Sequence, residues 1–288
     1  MALSLSISLT TLDAEAGSRG LLSRYFRKIP VAEALETFGY ARNRDLNGES
    51  IKVLVWNIKK GQEKPWKSEF SSYSRGKDLF LLQEAYETDL VVDTIKSYEG
   101  FRWDFGRSFT YAIYNNRGTG TMLGSHAEPV DVLVTHSPDH EPITNTPKAM
   151  TYARYALAHS AKTLLVISVH AINFRELGPF KRHMLQAKAE IEKHDGPVLF
   201  AGDFNTHLRE RIRYLTTLMR EMKFTEVSFL HGDQRMRAPI TRNFLDHAFV
   251  RGLSVKAAEV IPESRGSDHR PLVLELSVTD PAIAPALP

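Results

Sequence analysis

Nine apolar runs of strand length punctuate the chain: 51–58, 78–83, 119–124, 130–135, 163–169, 197–201, 244–250, 254–261 and 271–278. Most are apolar on both faces instead of alternating, the pattern of strands covered on both sides. Two stretches carry apolar residues at helical spacing. One is 179–194, with Phe180, Met184, Ala187 and Ile191 on a face; the other is 206–222, with Leu208, Ile212, Leu215, Met219 and Met222. Strands outnumber helices, and sheets buried on both sides need helices over them. The expected class is therefore α/β, a sandwich and not an open antiparallel sheet. No linker interrupts 51–278, so 49–279 reads as one domain. Residues 1–48 read as an N-terminal extension with a short helix over 31–38, and 280–288 as a C-terminal tail.

Composition removes several function classes. The chain of 288 residues has no cysteine, which excludes disulfides and thiolate metal sites. No apolar stretch approaches the length of a membrane-spanning helix. The formal net charge of +3 permits an anionic substrate without demanding one. The N-terminus, MALSLSISLTTLDAEAG, imitates a signal peptide with Ala14-Glu15-Ala16 as cleavage site, but no Lys or Arg precedes its apolar part. A cytoplasmic location is the reading, with secretion or a periplasmic location as the alternative.

The apolar runs end in chemically useful residues. PVLFAGDFNT at 197–206 passes from four apolar residues straight into Asp203 and Asn205. VLVWN ends in Asn57, LFLLQE in Glu84, and LLVISVHAIN contains His170. Asp246 opens one run, and Asp268-His269 precede another. Singly, such residues are commonest as turn formers or helix caps, and Asn205 or Thr206 could cap the helix that follows. Together they meet a topological rule: strand ends of α/β sheets converge at one rim, where ligands bind. One pocket would then hold Asn57, Glu84, His170, Asp203, Asn205, Asp246, Asp268 and His269. Four carboxylates and two histidines without sulfur suit a hard cation, Mg²⁺ or Mn²⁺, better than zinc.

These residues, in this order, resemble the endonuclease/exonuclease/phosphatase superfamily with the DNase I-like fold. The matching stretches are WNI at 56–58, LQE at 82–84, GTMLGS at 120–125, VHAIN at 169–173, GDFN at 202–205, LDH at 245–247 and SDHRP at 267–271. They span most of residues 51–278 and look most similar to a bacterial branch of little-assigned function. The resemblance implies a four-layer sandwich of two packed mixed β-sheets with helices outside. It implies Mg²⁺ (or Mn²⁺) as cofactor, held by Glu84 with Asn57, Asp268 and Asp203. Asp203 and Asn205 would orient the attacking water and the scissile phosphate. His269 would be the family's catalytic histidine, held in its tautomer by Asp246, and His170 would contact the phosphate or leaving group. The abasic-site endonucleases carry Asp in place of His170 and continue differently after Glu84, so a DNA-repair role is disfavoured.

Substrate clues are local. HGDQRMRAPITR at 231–242 places Arg235, Arg237 and Arg242 just before the LDH stretch, where they could clamp a nucleic-acid backbone. FRWDFGRSFTYAIY at 101–114 interleaves aromatic and basic residues, which fits a core strand better than base stacking. No apolar hairpin for membrane contact is legible. A nuclease acting on nucleic acid is thus the first reading, and a lipid or small-molecule phosphoesterase the second. A zinc hydrolase on His136 and His140 fails on Pro138 between them and on the missing helical Glu. A binding protein without catalysis is disfavoured because Glu84, Asp203 and His269 are all present.

Overall fold

The computed structural model describes residues 25–173, 176–229 and 233–279. The signal-like N-terminus, the tail from 280 and positions 231–232 lie outside the described residues. In chain order the elements are β1 (Phe26–Lys28), β2 (Leu35–Gly39), β3 (Asp45–Leu46), β4 (Ile51–Asn57), α1 (Trp66–Tyr73), β5 (Leu79–Tyr86), α2 (Asp89–Lys96), β6 (Arg102–Tyr111), β7 (Arg117–Ser125), β8 (Pro129–His136), β9 (Ala149–Leu157), β10 (Thr163–His170), α3 (Leu177–Ile191), β11 (Val198–Asp203), α4 (Arg209–Glu221), β12 (Thr225–Glu226), β13 (Asp246–Arg251), β14 (Leu253–Val260) and β15 (Leu272–Val278).

Two mixed sheets result. The first runs β1-β6-β7-β5-β4-β15-β14, with β2 also on β6; the second runs β12-β13-β11-β10-β9-β3, with β8 also on β9. The pairs β4·β5 and β10·β11 are parallel, while β15 and β13 run antiparallel to them. Strand alternation then makes four layers. Val53, Val55 and Leu81 of the first sheet meet Val166, Leu199 and Ala201 of the second between the sheets. Leu54, Trp56, Phe80 and Trp103 turn outward under α1 and α2. Leu165, Ile167, Phe200 and Phe249 turn outward under α3 and α4. Strands apolar on both faces are what this arrangement requires, and each fully buried Leu or Phe contributes roughly 1.5–3 kcal/mol.

Three expectations change. Residues 31–38 do not form a helix: a single 3₁₀ turn at Val31–Glu33 leads into β2, which pairs with β6. The extension does not end at 48 as a separate segment, because β1, β2 and β3 join the two sheets. These edge strands are too short and too exposed to carry a periodic apolar pattern. An exposed apolar hairpin does exist. Tyr25, Ile113 and Tyr114 are 40%, 55% and 51% exposed beside the β6–β7 turn. The 101–114 stretch is indeed largely core strand, with Trp103 and Phe105 buried.

Candidate active site

Alternation delivers the first three site residues. Asn57 follows Val53 and Val55 on the inner side of β4, and Asp203 follows Leu199 and Ala201 on β11. His170 continues the inner row of Val166 and Ser168, and lies opposite Asp203 in the parallel register. Because β13 is antiparallel to β11, its first residue, Asp246, falls opposite Asp203 at the same rim. Asp268 and His269 arrive there just before β15, antiparallel to β4.

Glu84 would alternate to the wrong side. Leu82 pairs with Met122 and Ala85 with Gly120, so Gln83 and Glu84 together oppose one residue of β7. This bulge leaves Leu82 and Ala85 outward and both residues between them inward. Gln83 donates to Ser168 Oγ across the sandwich (3.0 Å), and Glu84 accepts from Asn57. Glu84 holds a left-handed φ of 51° to do this. Non-glycine residues in that region cost about 1–3 kcal/mol and concentrate at functional sites. Gly202 has a different reason to be glycine. Its φ is 141°, and a Cβ there would lie 2.2 Å from the Val169 carbonyl oxygen.

Asp203 Oδ2 is the hub. Asn57 Nδ2 donates to it at 3.1 Å and to Glu84 Oε1 at 3.4 Å, so the two carboxylates face one space. His170 Nε2 is 3.6 Å and His269 Nε2 3.8 Å from the same oxygen. The Asn205 backbone N–H donates to Asp203 Oδ1 (2.9 Å), while Asn205 Nδ2 donates to the Ala171 carbonyl (2.8 Å). His269 Nδ1 donates to Asp246 at 2.8 and 3.0 Å. Burial alone would lower the pKa of this imidazole, but the Asp246 and Asp203 charges and the Asp246 hydrogen bond raise it to about 10. His269 is thus a cation in this arrangement. His170 is the opposite case: burial, and then the Lys148 ammonium, push it well below the ordinary value. It is neutral, and Lys148 Nζ donates to its Nε2 at 3.3 Å. Two histidines in one pocket are thereby set to opposite protonation states.

Two cations were not singled out from the sequence. Burial raises the Glu84 carboxyl, but Lys60, Lys148 and His269 more than reverse this and hold it below its usual value. Lys148 is a lone lysine before β9, and nothing in its neighbourhood marks it. Lys60 had one signal, the Lys59-Lys60 pair directly after the WNI stretch. Asp268 lies at the edge, half-exposed, accepting from Ser267 Oγ (3.2 Å) with Lys59 Nζ at 3.7 Å.

The donor set fits a hard cation. Glu84, Asp203 and Asp268 offer carboxylate oxygens, and Asp203 and Asp246 lie in a buried group with His269 whose polar atoms fall within 4.8 Å of one another, the protonated His269 itself offering no lone pair. Asn57 Oδ1 accepts from the Lys59 N–H (3.1 Å), and its amide nitrogen faces the two carboxylates.

The three arginines do not join the cluster. Arg235 is 6% exposed and lies over Phe244. It donates to Asp233 (2.6 and 2.9 Å), Glu226 (3.1 Å) and the Asp246 carbonyl (2.9 Å). Its partner Glu226 also accepts from His247 (2.7 Å), which alternates to the opposite face of β13 from Asp246. The clamp expectation is corrected for Arg235: three acceptors and an aromatic face leave its guanidinium in the fold. Arg237 packs on Phe244 and donates to the Arg242 carbonyl, and Arg242 is exposed. Helix capping by GDFNT is also absent: α4 starts after Leu208 without a side-chain cap, and Thr206 bonds His247 and the Phe244 carbonyl. His136 and His140 stay apart, the first on the Arg107 carbonyl (2.7 Å) and the second beside Lys28 (3.5 Å).

Known proteins bear on this geometry. The model of a family described as the Endonuclease/Exonuclease/phosphatase family matches residues 54–269. A UPF0294 protein of Vibrio parahaemolyticus is 34% identical over 247 residues, covering 84% of this chain and 83% of its own. An endonuclease/exonuclease/phosphatase of Beutenbergia cavernae superimposes with TM-score 0.65 at 15% identity, over 80% of this chain and 72% of that one. The endonuclease domain of TRAS1, a telomere-specific non-LTR retrotransposon, does so with TM-score 0.53 at 14% identity, over 80% of this chain and all of that domain (100%). Among the described residues no helix is long and apolar enough to cross a membrane.

Proposed function

Since the chain belongs to the endonuclease/exonuclease/phosphatase family, whose members act on phosphoester bonds, we propose that it is a Mg²⁺- or Mn²⁺-dependent phosphodiesterase, and specifically a nuclease. The observation that carries the reading is the convergence on one oxygen. Asn57 and His170, from separate strands, and His269, from the loop before β15, all meet Asp203 Oδ2.

The roles follow from protonation and position. Asp203 orients a water and takes its proton as the water oxygen bonds to phosphorus. His269, cationic and held by Asp246, donates a hydrogen bond from Nε2 to a phosphoryl oxygen as charge develops there. Lys148 adds a fixed positive charge, and neutral His170 takes up the phosphate or leaving-group side. Asn205 completes the cradle with its remaining amide N–H. Glu84, with Asp203 and Asp268, would hold the divalent cation, which neutralises non-bridging oxygens and the leaving oxyanion when bound. The P–O bond to the leaving group breaks, and that oxygen takes a proton from solvent, to which Asp203 returns the one it took.

The test is hydrolysis of supercoiled plasmid, single-stranded RNA, sphingomyelin and bis-(p-nitrophenyl) phosphate with Mg²⁺, Mn²⁺ or EDTA. Metal-dependent cleavage lost in Glu84→Ala and His269→Ala supports the proposal. Cleavage surviving both substitutions would sink it. The exposed Tyr25, Ile113 and Tyr114 favour a second reading, hydrolysis at a lipid surface, which preferential turnover of sphingomyelin would establish.

A further inference from the structure

We propose that a row of aromatic side chains leading away from Glu84, centred on Tyr111, binds unpaired bases of a single-stranded nucleic acid, with Lys60 on the neighbouring backbone phosphate. The inference rests on the phosphodiesterase reading and narrows its substrate.

The row is built by the sheet. Past the Glu84 bulge, Tyr86 pairs with Thr119 of β7, Thr119 pairs with Phe109 of β6, and Tyr111 pairs with Phe26 of β1. Ring centroids lie 5.2 Å apart for Tyr86–Tyr111, 5.3 Å for Phe109–Tyr111, 5.4 Å for Phe26–Tyr111 and 6.1 Å for Tyr111–Tyr114. All four contacts are edge-to-face or tilted, so Tyr111 is not sandwiched between parallel rings. Tyr86 and Tyr111 are half-buried and Tyr114 is exposed. Tyr86 and Tyr111 thus keep part of their surface, and Tyr114 about half of it, open to solvent.

Lys60 ties the row to the catalytic cluster. Its Nζ sits 5.7 Å over the Tyr111 ring, and its charge acts on Glu84. Lys59 and Lys60 hold left-handed φ values of 45° and 62°, an uncommon backbone for lysine. Burial opposes the Lys60 charge, but Tyr111 and Glu84 more than restore it, and the ammonium persists. The Lys60 ammonium beside the Tyr111 ring is the cation with which a backbone phosphate would pair. A cation beside aromatic faces suits a single strand, because a duplex keeps its base faces stacked inside.

The test is binding in EDTA by fluorescence anisotropy. A labelled oligothymidylate of about ten nucleotides is compared with an abasic oligomer of equal phosphate count and with a duplex. Stacking of one base predicts a base-to-abasic preference of at least about fivefold. Tyr111→Leu, which keeps apolar volume, should bring that ratio close to one. Lys60→Gln should weaken both oligomers and cut the salt slope by about 0.7. Circular dichroism melting checks the fold, and Tyr86→Leu repeats the test should Tyr111→Leu unfold. Equal binding of base-containing and abasic strands, a tighter duplex, or a ratio unchanged in folded Tyr111→Leu would overturn the proposal. So would phosphatidylcholine–phosphatidylserine vesicles that co-sediment wild type but not Tyr111→Leu. Wild-type turnover of bis-(p-nitrophenyl) phosphate, which has no base, is scored separately. Its absence sinks the phosphodiesterase reading, whereas its presence with equal strand binding sinks the aromatic row alone.

Discussion

Asp246→Asn keeps the shape of the side chain and removes the nearest charge holding His269. The imidazole is buried, and Asp246 at 2.8 and 3.0 Å, helped by Asp203 at 3.8 Å, raises it to about 10 against that burial. An unfolded chain would titrate this group near its ordinary value of 6.5. The folded state therefore binds the proton more tightly. The resulting stabilisation is fully present below about pH 6.5 and is lost as pH rises through about 10. At about 1.4 kcal/mol per pH unit, the interval amounts to roughly 5 kcal/mol, shared between the two carboxylates. Urea unfolding of wild type and Asp246→Asn in EDTA, at about pH 6, 8 and 10.5, measures it. The variant should be several kcal/mol less stable near pH 6, and the gap should close toward about pH 10.5. A gap constant with pH, or one that widens in alkali, would refute a cationic His269 held by Asp246.

Three further outcomes are expected. Gly202→Ala drives a Cβ against the Val169 carbonyl oxygen at 2.2 Å and against Gln83 Nε2 at 2.9 Å. It should cost at least about 1–3 kcal/mol by urea midpoint, and an unchanged midpoint would contradict this close backbone approach within β11. Arg235→Met leaves Asp233 and Glu226 without their guanidinium and should cost about 3–5 kcal/mol, against about 0.5 kcal/mol or less for exposed Arg242→Ala. Equal effects would return Arg235 to the surface. Burial, and then the Glu36 carboxyl beside it, push Glu87 up to about 7. The folded state keeps that proton, so stability falls as pH rises from about 4.5 to about 7. Glu87→Gln should flatten this stretch of the pH–stability curve, and a slope identical to wild type would reject the assignment.

How much of this was legible depends on the range over which each position is decided. Asn57, His170 and Asp203 were readable because each ends an apolar run. The parity of that run points the residue inward, and parity is a local property. Glu84 was readable as part of LQE, but its direction was not. It depends on the bulge against β7, where Gly120 crosses Gly106 so closely that a Cβ would meet the Gly106 carbonyl oxygen at 1.9 Å. Lys148 and Lys60 were not singled out because a lysine in a loop has no period. Their effects on Glu84 and His170 arise only because the fold brings these groups near. Arg235 misled for the same reason. Its acidic partners Glu226 and Asp233 and its aromatic partners Phe229 and Phe244 stand at irregular distances along the chain, so a charge run looked solvated where the fold had closed around it. The edge strands β1 to β3 are the backbone counterpart, too short for a period and defined only by the strands they meet. Residues that alternation aims at the rim could therefore be named before the structure, and with them Asp246 and Asp203, the carboxylates that make His269 the cation. The Lys148 and Lys60 charges that help keep His170 neutral and Glu84 ionised could not, because no short window of the sequence contains those contacts.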